Sequence, residues 1–469
     1  MRFVYLFLLG ILLISYGCTF RRVIRSSEGL TPLLGWLAGL GYFLLSPLAL
    51  ITVLGGYALP PAYDVGQDWH AVTLTNARFL VPFLVVWLCL MGACLAVQLF
   101  HVGGRQEARD TPAAVSRQGL ERAILITMGL TVVNWTLLVW LVGGIEEFLI
   151  SHWQQRGEDL VARLGDSYVL ADHLFRANQV IFTAAAALYT ALGLKNRDTN
   201  WKFTSLIILF FLLEVVLTGN RIYFAIYLIA FFILCLQLRR KKTIIVMLAA
   251  SPVLILVFSA WSSVRHNLTE IPDSVADYNE ADFGNRTTEA LINVTEGINS
   301  LLMLHIINDF GNRQDYLYGL TYSRAATSLI PRRFYPQKPE NFTLMMANLY
   351  LPGEQTSLNA TAVGEMYANF GPFSLLLFPL LTAGIALLTQ RIARAGQNHA
   401  ILPVLLFVTL VWAARSTVED NFVCFLLAMF LIFVLRLDKG LRRAPERCPA
   451  KAYFLGSATT VQESPQRTG

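Results

Sequence analysis

The sequence predicts an all-α polytopic membrane protein of about eleven transmembrane helices with one large loop domain. Three observations lead there. Hydrophobic residues make up 55% of the 469 residues and charged residues 14%, against roughly 25% charged in soluble proteins. Apolar runs long enough to cross a bilayer recur along the chain. The net charge of +6 is carried in short basic clusters between those runs. That is the orientation signal of a membrane protein rather than a nucleic-acid patch, so no nucleic-acid partner is expected.

The runs begin near Phe3, Leu33, Phe79, Ala123, Ala177, Phe203, Ile222, Thr243, Phe373, Ile401 and Phe422. The first, Phe3–Phe20, has no small-x-small cleavage site and is followed at once by Arg21-Arg22, so it reads as a retained span. The sixth and seventh are joined only by the turn Thr218-Gly219-Asn220-Arg221. Alternate connections are strongly basic: Arg21 to Arg25, Arg105 to Arg122, Lys195 to Lys202, Arg239 to Lys242, Arg391 to Arg394, and the tail after Lys439. The positive-inside rule then puts the N-terminus outside and the C-terminus in the cytoplasm. Four regions result: a transmembrane bundle over 1–263, an outer loop over 264–368, further spans over 369–438, and a polar, proline-containing cytoplasmic tail over 439–469 that is expected to be disordered. The six cysteines all fall in apolar runs or the tail, so no disulfide is expected in the loop.

The loop spans about 105 residues, a length that is usually functional or disordered. Aromatic and aliphatic residues run throughout it, so it is expected to fold against the membrane. Leu291, Val294, Ile298, Leu301 and Leu302 recur at helical spacing within Thr288–Phe310, which suggests an interfacial amphipathic helix.

Sorting the basic residues by side is informative. Of seven lysines only Lys338 falls outside; the other outer basic residues are arginines. Arginine offers a planar fork of donors that grips phosphate oxygens bidentately and never loses its charge. The bland alternative is that these are ordinary loop charges. Three escape it by position. Arg221 lies in the tight turn, with Glu214 and Thr218 on one helix face by i, i+4, i+7 spacing. Glu214 is an ionisable group within a span, rare unless paired or functional. Arg265 directly follows the eighth span, and Arg415 opens the short turn Arg415-Ser416-Thr417-Val418-Glu419-Asp420. All three are expected at the outer membrane boundary, where a lipid diphosphate sits.

Prolines at 331, 336 and 339 fix an extended path through Arg332, Tyr335 and Lys338, with aromatics beside cations as a sugar phosphate would need. Glu365 in Gly364-Glu365-Met366-Tyr367 stands near the same boundary, beside rings at Tyr367 and Phe370 that suit a sugar face. There is no HExxH, CxxC, DxD, P-loop or GxSxG motif to support a metal, nucleotide or serine-hydrolase reading.

These pieces resemble the Wzy-type O-antigen and repeat-unit polymerases, including the enterobacterial common antigen polymerases. The matching segments are Phe20-Arg21-Arg22-Val23, Gly219-Asn220-Arg221, Ile330-Pro331 through Tyr335-Pro336-Gln337-Lys338-Pro339, Gly364-Glu365-Met366-Tyr367 through Gly371, and Ala414-Arg415. The resemblance implies a GT-C-like glycosyltransferase of the bacterial inner membrane, N-terminus periplasmic, without cofactor, nucleotide sugar or metal. It implies a glycan on undecaprenyl diphosphate as donor and a second lipid-linked repeat unit as acceptor, with a chain-length regulator and a flippase as partners. In that chemistry Arg221, Arg265 and Arg415 would stabilise the leaving diphosphate, and Arg324, Arg332, Lys338, Tyr335, Tyr367 and Glu214 would touch substrate. Glu365 would be the general base, with Glu419 and Asp420 as the other carboxylate candidates. Two alternatives stay open: an O-antigen ligase that transfers the glycan to lipid A core, and a flippase or exporter of lipid-linked glycans. A transporter should carry charges along a central path, whereas these gather at one face.

Overall fold

The computed structural model describes residues 1–27, 29–58, 71–75, 77–101, 116–153, 164–266, 291–292, 294, 296–328, 330, 333–352, 358–394 and 401–437. Each apolar run of the sequence is a helix. Among the described residues, seven helical rods are long and apolar enough to cross a membrane. They are α1 (Arg2–Ser26), the pair α2 (Pro32–Leu40) and α3 (Ser46–Leu54), α4 (Leu80–Phe100), α5 (Arg117–Val142), α7 (Asp166–Asn196), α8 (Trp201–Thr218), and α14 (Thr361–Phe370) running into α15 (Ser374–Arg394). Between α5 and α7 lies the short α6 (Ile145–Trp153). The runs from Ile222 and Ile401 form shorter apolar helices, α9 (Ile222–Gln237) and α16 (Leu402–Ala413). The remaining two are α10 (Lys241–His266) and α17 (Val418–Val434). Large apolar side chains such as Leu209, Val133 and Phe433 point outward. In water such a surface would aggregate; in lipid it is the ordinary exterior. The chain is a multi-pass membrane protein.

Local chemistry explains the helix ends. Thr31 accepts the Leu34 N–H at the start of α2 with Pro32 at its first position, and Asn200 does the same for Phe203 in α8. Thr417 caps α17 by accepting from Asp420, and the carboxylates of Glu419 and Asp420 sit in the first turn, where the helix dipole favours them.

Close packing of α2 on α16 is made possible by two glycines one turn apart, Gly35 and Gly39. A Cβ on Gly39 would stand 2.6 Å from the Val411 carbonyl oxygen, and one on Gly35 would strike the Phe407 backbone. The pairs Gly35–Phe407 and Gly39–Val411 advance together, so the helices run parallel, in the small-xxx-small manner that membranes favour.

Between α2 and α3 the chain makes a π-helical turn, Gly41–Leu45. Its causes are visible. The Tyr16 hydroxyl donates to the Leu37 carbonyl and so intrudes on the ladder, and Pro47 lacks the N–H that the Phe43 carbonyl would otherwise take.

Among the described residues the chain is all-α apart from one small antiparallel pair, β1 (Gly56–Ala58) with β2 (Ala71–Thr73). One expectation needs correction. The expected amphipathic helix over Thr288–Phe310 is, where described, α11 (Gly297–Asp309), and it is buried on nearly every face. The run Leu301-Leu302-Met303-Leu304, continued by Ile306-Ile307, has no polar stripe to give to water, so the helix inserts into the bundle rather than lying on an interface. The tail from 439 lies outside the described residues, as do residues 267–290 of the loop. The rest of the loop carries α12 (Leu320–Thr327) and α13 (Phe342–Tyr350).

Candidate functional site

The Gly219-Asn220-Arg221 turn is held rigidly. Gly219 adopts φ 66°, in the left-handed region that glycine tolerates, and closes α8 through its N–H to Val215. Thr218 accepts from the Asn220 N–H at 3.2 Å, and Asn220 accepts from the Ile222 N–H at 3.1 Å. Because the helix ends at Thr218, the i, i+7 spacing expected to align Arg221 with Glu214 is broken. Arg221 lies instead in electrostatic range of Glu296, Tyr42 and Arg415. Burial draws its pKa below the ordinary arginine value, with the Glu296 charge opposing, and the group stays protonated.

The parallel crossing of α2 and α16 delivers the other members. Three residues past Gly39 comes Tyr42 on the π turn, and four past Val411 comes Arg415, so both emerge at one height. The Tyr42 hydroxyl donates to the Val294 carbonyl at 2.8 Å. Arg415 donates through Nε to a Glu296 carboxylate oxygen, and Asn299 Nδ2 donates to that same oxygen at 3.0 Å. Glu296 itself has φ 54° and ψ 45° just before α11. A non-glycine residue there costs roughly 1–2 kcal/mol, a cost the buried α11 and the arginine contact sustain. Arg415 thus binds the Glu296 carboxylate directly, and Arg221, from a separate inter-helix turn, lies within reach of its charge.

Around this centre the Arg415–Asp420 turn is tied to most of its neighbours. Ala414 accepts from the Ala362 N–H of α14 at 3.2 Å. Glu365, 1% exposed, accepts from the Val418 N–H at 2.9 Å and from the Thr321 hydroxyl at 2.8 Å. Asn369 donates to the Thr321 oxygen at 2.9 Å and to the Glu365 carbonyl at 2.8 Å. Glu419 receives Arg324 Nε at 2.5 Å and Asn341 Nδ2 at 3.2 Å, and Arg324 also donates to the Pro339 carbonyl. Asp420 receives the Ser416 hydroxyl at 3.3 Å and lies 3.8 Å from Arg176, itself 2.8 Å from Asp172. Each of the three carboxylates named as candidate bases therefore has protein donors on it, and Glu365 has one on each oxygen.

No family model, curated protein or solved structure matches this chain.

The remaining expected residues are scattered. Lys338 Nζ donates to the carbonyls of Ser328 at 2.6 Å and Ile330 at 3.2 Å, clamping the proline-rich segment. Tyr335 and Phe334 of that segment are exposed, and Arg333 lies 6.0 Å over the Phe334 ring. Tyr367 is buried edge-on against Tyr316 at 6.2 Å. Glu214 is buried in α8, and among the described residues neither carboxylate oxygen has a hydrogen-bond partner; it stands apart from the arginine pair. Arg265 falls in the last turn of α10, with its side chain outside the described residues, and Arg332 lies outside them altogether.

Sequence reasoning missed Tyr42, Glu296 and the Arg176–Asp172–Asp420 chain. For Tyr42 the available signal was Pro47 five residues on, which marks an interrupted helix. For Glu296 it was an acid five residues before the apolar run Leu301-Leu302-Met303-Leu304. Chemically the arrangement offers two guanidiniums in one another's field, a carboxylate bound to one of them and acting on the other, and a phenol within the same field. It can hold a multiply charged anion and stabilise further negative charge.

Proposed function

We propose that this protein is a glycosyltransferase of the inner membrane that polymerises oligosaccharide repeat units carried on undecaprenyl diphosphate, with its working end facing away from the cytoplasm. One observation carries the reading: Arg221 and Arg415, from two different turns, lie in each other's field at one end of the bundle, with the Glu296 carboxylate bound to Arg415 and acting on Arg221. Two fixed cations so close together repel unless an anion lies between them, and a diphosphate is an anion of that shape and charge. Breaking a sugar–diphosphate bond loads negative charge on the leaving group, which the pair would stabilise without reorganising. The exposed Phe334 and Tyr335 and the arginine beside them suit a sugar chain. Glu365, bonded at both oxygens, positions the Val418 end of the turn that carries Arg415. The distribution of lysine and arginine along the sequence supports the orientation.

A deletion strain tests the reading against its closest rival. Loss of a polymerase leaves surface glycans of a single repeat unit, and glycan profiling should show them. Surface lipid without any repeat unit would indicate a ligase, and an unchanged ladder would sink both.

A further inference from the structure

We propose that Glu296 is a resident stand-in for the donor's diphosphate, and that it accepts the proton of the attacking hydroxyl once the diphosphate has displaced it. This rests on the polymerase reading above. Glu296 occupies Arg415 directly and lies in the field of Arg221, so the cations that would hold substrate are already neutralised by a group of like charge. A diphosphate offers more oxygens and more charge to the same donors. The other carboxylates at this end are held by groups that stay in place: Glu365 by Thr321 and Val418, Glu419 by Arg324 and Asn341, Asp420 by Ser416 and Arg176. Glu296 is the carboxylate whose partner the substrate itself would take. Asn299 is its other donor, at 3.0 Å, and its left-handed backbone sits at the rim of a helix buried firmly behind it, so the side chain can swing while α11 remains.

The step then balances. The acceptor hydroxyl oxygen bonds to the anomeric carbon of the donor sugar. The bond from that carbon to the diphosphate oxygen breaks, and its electron pair leaves on the lipid diphosphate between Arg221 and Arg415. The hydroxyl proton goes to the released Glu296 carboxylate.

The test is E296Q, purified in detergent, with farnesyl diphosphate as a soluble binding probe and lipid-diphosphate repeat units for turnover. Removing an internal competitor that fills the site most of the time should tighten probe binding about tenfold or more. Losing the proton acceptor should lower polymerisation on the order of 100-fold or more. Glu296→Asp keeps the charge but draws it back by one methylene, so it should also bind the probe more tightly while retaining part of the turnover. If E296Q or Glu296→Asp binds no tighter than wild type, or if E296Q polymerises near the wild-type rate, the proposal is overturned. Should wild type and E296Q both leave the probe unbound, the diphosphate-donor reading fails, and the stand-in with it.

Discussion

Replacing Glu365 separates a scaffold carboxylate from a chemical one. Glu365→Ala removes the acceptor of two buried donors, the Val418 N–H and the Thr321 hydroxyl. An orphaned buried donor costs about 1–3 kcal/mol, so the alanine variant should lose about 2–6 kcal/mol. Glu365→Gln keeps a carbonyl oxygen for Val418 and can turn its amide to the Thr321 oxygen. It forfeits mainly the charge assistance, about 1 kcal/mol per bond. The assay is thermal unfolding of the purified variants in one detergent, alongside membrane abundance and polymerisation per folded molecule. The alanine variant should fall sharply in melting temperature and abundance. The glutamine variant should fall slightly and keep most of its specific activity. A glutamine variant as stable as wild type but inactive would refute this reasoning and return Glu365 to the role of general base.

Other perturbations test the neighbouring contacts. Arg221→Lys keeps the charge but loses the fork, and should cost on the order of 100-fold in turnover at normal membrane levels; an active Arg221→Ala would remove it from the leaving-group site. Arg324→Ala takes the cation from Glu419, 5% exposed at its side chain, and leaves it the neutral Asn341 donor, so it should destabilise by about 3–5 kcal/mol. Adding Glu419→Gln should recover much of that, and a double variant no more stable than the single would deny the coupling. Gly39→Leu drives a side chain into the Val411 backbone and should separate α2 from α16, lowering abundance or, in surviving protein, turnover. Wild-type levels and activity would show that the crossing does not set the Tyr42–Arg415 alignment.

What could be read in advance followed the strength of the physical signal. The helices were legible because long apolar runs leave the backbone no alternative in lipid, and all eleven runs are helical. Arg221 and Arg415 stood out because short turns restrict where a side chain can go. The carboxylate that meets them was not legible. Glu296 reaches Arg415 across 119 residues of sequence, and no local spacing encodes such a contact. Glu214 shows the converse, since a helical pattern aligned it with Arg221 until Gly219 ended the helix. For α11 the same apolar residues fit an interfacial stripe or a buried rod, and the unbroken Leu301–Leu304 stretch, more than its periodicity, decided for burial. The π turn at Gly41–Leu45 depends on Tyr16 of another helix, a tertiary cause that a local reading does not reach.

The most direct measurement of the central claim is reconstitution of the purified protein in lipid bilayers with undecaprenyl-diphosphate-linked repeat units and excess EDTA. The products are resolved by glycan length, and released lipid diphosphate is counted. If Arg221 and Arg415 supply the leaving-group charge, a ladder of polymers should form, one lipid diphosphate should appear for each new linkage, and Arg415→Ala should abolish both. Repeat units that cross the bilayer unjoined, or a ladder that Arg415→Ala leaves intact, would contradict it.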